Sequence, residues 1–87
     1  MVNLEEICKF AVDKFGMEKQ TWQAIEEMGE LITAINHYNR NRADLKDVCT
    51  EIADVQIMME QLAIIYGKED VASERKYKLE RLKERLK

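Results

Sequence analysis

Between Leu45 and Tyr66, apolar side chains recur at intervals of three and four on two opposite sides of one helix. Plotted at about 100° per residue, one arc gathers Val48, Ile52, Val55, Met58, Met59, Leu62 and Ile65. A second set, Ala53, Ile57 and Ile64, faces away from it. A helix apolar on two sides must be covered on two sides, and 87 residues can hardly do that alone. The pattern therefore predicts an all-α, four-helix chain that associates with further copies of itself.

The rest of the sequence agrees with the helical assignment. No segment alternates with period two, and there is no proline. The first helix is expected from about Leu4 to Phe15, with Asn3 as N-cap and Gly16 as C-cap. A second spans roughly Glu18 to Tyr38, and the asparagine-rich stretch from His37 to Ala43 reads as a loop. The third runs from about Asp44 to Tyr66. Gly67 ends it, and a fourth from about Asp70 to Leu86 repeats Leu79, Leu82 and Leu86 at helical spacing. No linker or internal repeat divides the chain, so residues 1–87 form a single domain.

Charge is unevenly distributed. Residues 1–73 carry 7 basic and 14 acidic side chains, a balance of −7, whereas residues 74–87 carry 7 basic and 3 acidic, a balance of +4. A nucleic-acid binder would show a basic face over most of the domain, so that class is set aside. The separation suits an acidic metal site facing a basic phosphate clamp. The longest apolar run, Leu62 to Tyr66, is far short of the ~20 residues a membrane span needs. A soluble, cytoplasmic protein is expected. Cys8 and Cys49 have no CxxC spacing and read as small apolar fillers.

Two places set charge against packing. Glu51 falls inside the apolar arc of the third helix, with Val55 at i+4 and Met58 at i+7, and Asp54 sits at its border. A buried acid without a partner takes up a proton or finds a cation. On the second helix, Glu27 and Glu30 project from neighbouring positions, where like charges repel. Gly29, between them, costs up to ~1 kcal/mol relative to alanine and implies close approach of another backbone. Together the acids read ExxE from Glu27 and ExxD from Glu51. Antiparallel helices joined by a short loop bring both pairs to one level, and so dense a set of hard oxygen ligands calls for Mg²⁺, with Mn²⁺ as substitute.

Three stretches, Gln23 to Ile35 (QAIEEMGELITAI), Glu51 to Leu62 (EIADVQIMMEQL) and Lys76 to Leu86 (KYKLERLKERL), resemble the MazG-like, all-α nucleoside triphosphate pyrophosphohydrolases. The resemblance covers nearly the whole chain. It implies that Glu27, Glu30, Glu51 and Asp54 hold Mg²⁺ and that an NTP or dNTP is cleaved to the monophosphate and pyrophosphate. It also implies dimers or tetramers with shared helical cores. Glu26, four residues before Glu30, is the candidate proton acceptor. Lys78 and Arg81, one turn apart on the fourth helix, are candidates for holding the outer phosphates, although Glu74 and Glu80 are placed to form ordinary ion pairs with Lys78 and Lys83. Gln20 and Trp22 are candidates for contacting the base. Trp22 also reads as a core or interface residue, and His37 as a residue of a helix end or loop.

Two alternatives stand beside this one. A phosphoribosyl-ATP pyrophosphohydrolase is similar in size and carboxylate logic, but its glycine-containing segment before the cluster and its histidine after the second motif are missing here. A non-catalytic helical adaptor explains the amphipathic helices and leaves Glu51 without a role. A ferritin-like di-iron bundle requires ExxH pairs, which His37 does not make.

Overall fold

A computed structural model describes residues 3–87, which form four α-helices and no strand. Helix α1 spans Leu4–Phe15, and the Asn3 side chain caps it by accepting from the Glu6 backbone N–H at 2.8 Å. Gly16, at φ 94°, makes the whole connection to α2, Met17–Asn39. The second helix thus runs one residue past the expected Tyr38, and the loop expected from His37 starts only at Arg40. His37 lies in its last turn, where a basic group suits the helix dipole. The connection that follows is short, and its Asn41 adopts the left-handed conformation (φ 60°) that asparagine tolerates. Helix α3 spans Leu45–Tyr66 and opens with a reciprocal cap: Asp44 Oδ1 accepts from Asp47 N–H at 3.1 Å, and Asp47 Oδ2 accepts from Asp44 N–H at 3.2 Å. Gly67 (φ 138°) turns the chain into α4, Lys68–Arg85, which begins two residues before the expected Asp70.

Helices α2 and α3 pair antiparallel, with Gln20 opposite Gln61 at one end and Glu27 opposite Glu51 and Asp54 near the middle. Helix α1 lies against α3 on one side of this pair. There Cys8 is fully buried with Sγ 3.7 Å from the Ile57 carbonyl oxygen. Helix α1 thus meets α3 at the level of Ile57, whose own side chain stays 43% exposed. Cys8 acts as the apolar filler expected, while Cys49 is exposed and does not.

The interior is thin. Its buried apolar residues are Cys8, Val12, Ala24, Ala34, Met58 and Ala63, mostly small side chains. Meanwhile the main apolar arc of α3 divides into two. Met58 turns toward α2, whereas Leu45, Val48, Ile52, Val55, Met59, Leu62 and Tyr66 form a straight 3-4 seam that nothing in the chain covers fully. Ile52 is 41% and Tyr66 69% exposed. On α2 the residues Ile25, Met28, Ile32 and Ile35 repeat the same spacing, with Ile32 62% exposed. Each seam lies about 100° around its helix from the residues that meet the neighbouring helix. Because the helices are antiparallel, both offsets carry the seams to one side, opposite α1. Ile25 and Tyr66 accordingly line one groove.

The dimensions agree with an incomplete core. The radius of gyration is 15.4 Å, against about 12 Å for a compact chain of this length. The accessible surface is 7157 Å², roughly 1,800 Å² more than a folded monomer of this mass exposes. Helix α4 contributes to the excess. It carries no buried residue and, apart from the ion pair of Lys68 with Glu5, neighbours only α3. No helix among the described residues is long and apolar enough to cross a membrane.

Candidate metal centre

The antiparallel register of α2 and α3 brings acids from both helices to one level. One carboxylate oxygen each from Glu27, Glu51 and Asp54 lies within 4.8 Å of the others, and all three residues are half-buried. Glu27 Oε1 accepts from the Gln23 amide at 3.0 Å, one turn earlier on α2. Its other oxygen, Oε2, is buried without a partner, as is Oε2 of Glu51. Buried acceptors of this kind cost about 1–3 kcal/mol each when left unmade, more when charged. The donor set fits a hard divalent cation: it contains only carboxylate oxygens, it converges, and two of its oxygens have no other use. Residues Glu27, Glu51 and Asp54 are therefore the ones that would hold a metal ion.

Glu30 completes the expected quartet but stands outside the tight trio. It is exposed, and its carboxyl is pushed above the usual range, chiefly by the charge of Glu27, with burial, Glu51, a hydrogen bond to Glu27 and Glu26 adding to the effect. Folded Glu30 binds protons more tightly than unfolded Glu30, so its contribution to stability falls as pH rises from the usual glutamate range through the raised value. Glu30→Gln should accordingly raise the melting temperature of the metal-free protein at pH 7 and change it little at pH 4. Thermal unfolding at the two pH values in chelator checks this. A variant less stable at pH 7 would contradict the repulsion.

Beside the trio a groove of about 610 Å³ runs toward the α2–α3 connection. Glu26, Gly29, Glu30, Thr33, Ala34 and His37 form one wall, and Ala43, Asp47 and Glu51 the other. Its volume is that of an ordinary small-molecule site. Glu26, the candidate proton acceptor, is part of the lining. Thr33, His37 and Asp47 belong to it as well and were not singled out as site residues. The i, i+4 spacing of Asp47 to Glu51 was the signal that would have found Asp47, and that of Gln23 to Glu27 the signal for Gln23, which was missed as well, since groups at that separation share a helix face.

The other candidates lie elsewhere. Gln20 is 7% exposed, and its amide donates to Gln61 Oε1 at 2.7 Å inside the core. It does not open onto the groove, because its hydrogen bonding serves the α2–α3 contact. Gln20→Ala should cost about 1–3 kcal/mol by leaving Gln61 unpaired, and Gln20→Ala/Gln61→Leu should recover part of that loss; urea titration measures both. Trp22, 64% exposed, lies at the seam end of α2 beside Met17 and Lys19. Lys78 and Arg81 line no groove with the carboxylates. Both cations lie instead beside the Tyr77 ring, at 6.0 and 5.9 Å from its centre. The expected pairs of Glu74 with Lys78 and Glu80 with Lys83 do not form; within α4 and the residues after it, the pair made is Glu84 with Lys87 at 3.0 Å.

No protein-family model matches this chain, and neither a curated protein nor a solved structure does.

Proposed function

We propose that this chain is a Mg²⁺-dependent nucleoside triphosphate pyrophosphohydrolase, acting in the cytoplasm as a homodimer or homotetramer and releasing the monophosphate and pyrophosphate from an NTP or dNTP. The observation that carries the reading is the convergence of Glu27, Glu51 and Asp54 within 4.8 Å, with two buried oxygens that nothing in the chain satisfies. The motif resemblance supplies the reaction class, and the adjoining groove supplies room for a nucleotide. A bound Mg²⁺ would offset phosphate charge and make a water more acidic. Glu27, Glu51 and Asp54 would hold it, with Glu30 as the fourth carboxylate of the quartet. Gln23 fixes the Glu27 carboxylate, and Glu26, at the groove's wall, takes the proton from the attacking water.

The uncovered seams support the oligomer. A standard interface removes about 800 Å² from each partner, and permanent ones remove more. The ~1,800 Å² of surplus surface is of the larger size, and the exposed 3-4 repeats on α2 and α3 are self-complementary faces that a second copy covers by two-fold symmetry. Pyrophosphate release from a panel of NTPs and dNTPs, with Mg²⁺ and with chelator, tests the reaction. Release that stops on chelation is the expected result. No turnover of any nucleotide by a folded, metal-loaded protein would overturn the enzyme and favour an adaptor.

A further inference from the structure

The groove beside the carboxylates is longer than a metal ion needs. It runs along α2 from Glu26 and Glu30 through Thr33 to His37, and along α3 from Glu51 through Asp47 to Ala43. At the rise of an α-helix, His37 stands ~10 Å beyond Glu30 and Asp47 ~6 Å beyond Glu51. A nucleotide whose innermost phosphate lies at the trio sets its sugar and base over that distance. None of the lining residues is a lysine or arginine, while Glu26, Glu30, Asp47 and Glu51 make the walls acidic. Further phosphates are repelled from such walls, and an uncharged ring system is not.

The walls leave room for that nucleoside and hold one acceptor in place for its base. Gly29 lies in the wall, and a side chain there would meet nothing within 4 Å. The backbone whose close approach a mid-helix glycine implies is therefore not in this chain, and the space above Gly29 is free for a sugar. Asp47 is exposed, yet its carboxylate is fixed: Oδ2 accepts from the Asp44 N–H at 3.2 Å as half of the reciprocal cap of α3. That bond uses one of about four lone-pair sites of an ionised carboxylate, and all the others can only accept. His37, on the facing wall, brings a ring N–H that can donate.

We infer that Asp47 is the specificity-determining residue of this groove and that it selects a guanine nucleotide, with His37 as its counterpart on the other wall. The inference rests on the triphosphate reading of the site and adds the base to it. A fixed carboxylate matches a base edge that carries two N–H donors side by side, and among the common bases only guanine has one, in its ring N–H and exocyclic amine. Adenine and cytosine set a ring nitrogen lone pair beside their amine, which faces the second carboxylate oxygen acceptor to acceptor. Uracil and thymine have a single N–H between two carbonyl oxygens. The His37 N–H donates to the guanine carbonyl or to the neighbouring ring nitrogen, so donors and acceptors are complementary on both walls. A wrong base leaves the Asp47 oxygens facing lone pairs, and a site built on hydrogen bonds rejects such a ligand more strongly than an apolar pocket does.

Base preference and its reversal test the assignment. With the full chain and Mg²⁺, kcat/KM for GTP and dGTP should exceed that for the other NTPs and dNTPs by about 10- to 100-fold, the discrimination of one good bidentate pair. Asp47→Asn keeps an oxygen for the Asp44 N–H but turns an amide donor toward the base. Its guanine preference should fall by at least ~10-fold, and adenine and cytosine nucleotides, which pair a donor with an acceptor, should gain. A residue that serves only as a helix cap would lower the melting temperature and leave the ratio between bases unchanged; that result, or equal wild-type values for all bases, would overturn the assignment. If the wild-type chain releases pyrophosphate from no nucleotide, the enzyme reading fails and titration calorimetry with GMP, AMP, CMP and UMP in Mg²⁺ decides the base alone. GMP should bind the wild-type chain more tightly than the other three by the same factor, and Asp47→Asn should remove that advantage. Four equal affinities, or no binding of GMP at millimolar concentration, would overturn the assignment whatever the activity.

Discussion

Glu51→Gln should abolish pyrophosphate release while making the metal-free protein more stable. Loss of an outer hydrogen-bond partner of a metal ligand already lowers metal affinity or activity by about 10- to 100-fold, so loss of a ligand should lower turnover by at least ~10²-fold. The stability change has the opposite sign because Glu51 Oε2 is buried without a partner beside the oxygens of Glu27 and Asp54. A glutamine keeps the shape, removes one of the clustered carboxylates, and offers an N–H₂ that the remaining carboxylates accept from. A gain of about 1 kcal/mol, worth several degrees in melting temperature for a domain of this size, should appear in chelator and shrink or reverse when Mg²⁺ is added, since only the wild-type chain then gains from the ion. Turnover and thermal melts with and without Mg²⁺ measure both arms. Wild-type turnover in the variant would remove Glu51 from the metal site.

Ile52→Asp should dissociate the oligomer. Ile52 is the third of the seven positions of the α3 seam and is 41% exposed in the single chain, so an apolar partner surface is needed to finish its burial. Covering such a side chain contributes up to about 1.5–3 kcal/mol, and two-fold symmetry counts the loss twice. An aspartate carried into an apolar contact also adds a desolvation cost in each subunit. The dissociation constant should rise by at least ~10³-fold, visible by sedimentation at micromolar concentration. The wild-type melting temperature should climb with protein concentration, as mass action requires, and that dependence should be lost in the variant. An unchanged sedimentation coefficient would place the seam outside any subunit interface.

The helices and their ends were legible because their causes are local. Asn3 accepts from an N–H three residues on, Asp44 and Asp47 cap each other across one turn, and Gly16 and Gly67 take positive φ where helices stop. Asparagine content set the start of the loop a few residues early, since three asparagines near a helix end mark a turn only where one of them, Asn41, actually leaves the helical region. The conflict at Glu51 was legible too: a wheel position among apolar neighbours becomes, in three dimensions, a buried oxygen without a donor.

Other placements required the register between helices. Gln20 stands just before the acidic cluster in sequence, yet its wheel position faces α3, and only the pairing with Gln61 shows that its amide is consumed inside. Glu27, Glu51 and Asp54 form the tight trio, with Glu30 outside it, because antiparallel pairing puts Glu27 opposite Asp54 while Glu30 projects toward the open groove. The split of one apolar arc into an inward part at Met58 and an outward seam through Ile52 and Met59 likewise depends on where α1 and α2 sit.

Periodicity and capping, which act within a turn or two of helix, thus establish four helices, their limits and an acid where an acid is costly. Which carboxylates meet, which apolar face is left uncovered, and that α4 carries its cations away from the groove are settled by packing between helices. Those contacts join residues tens of positions apart, and no local rule relates them.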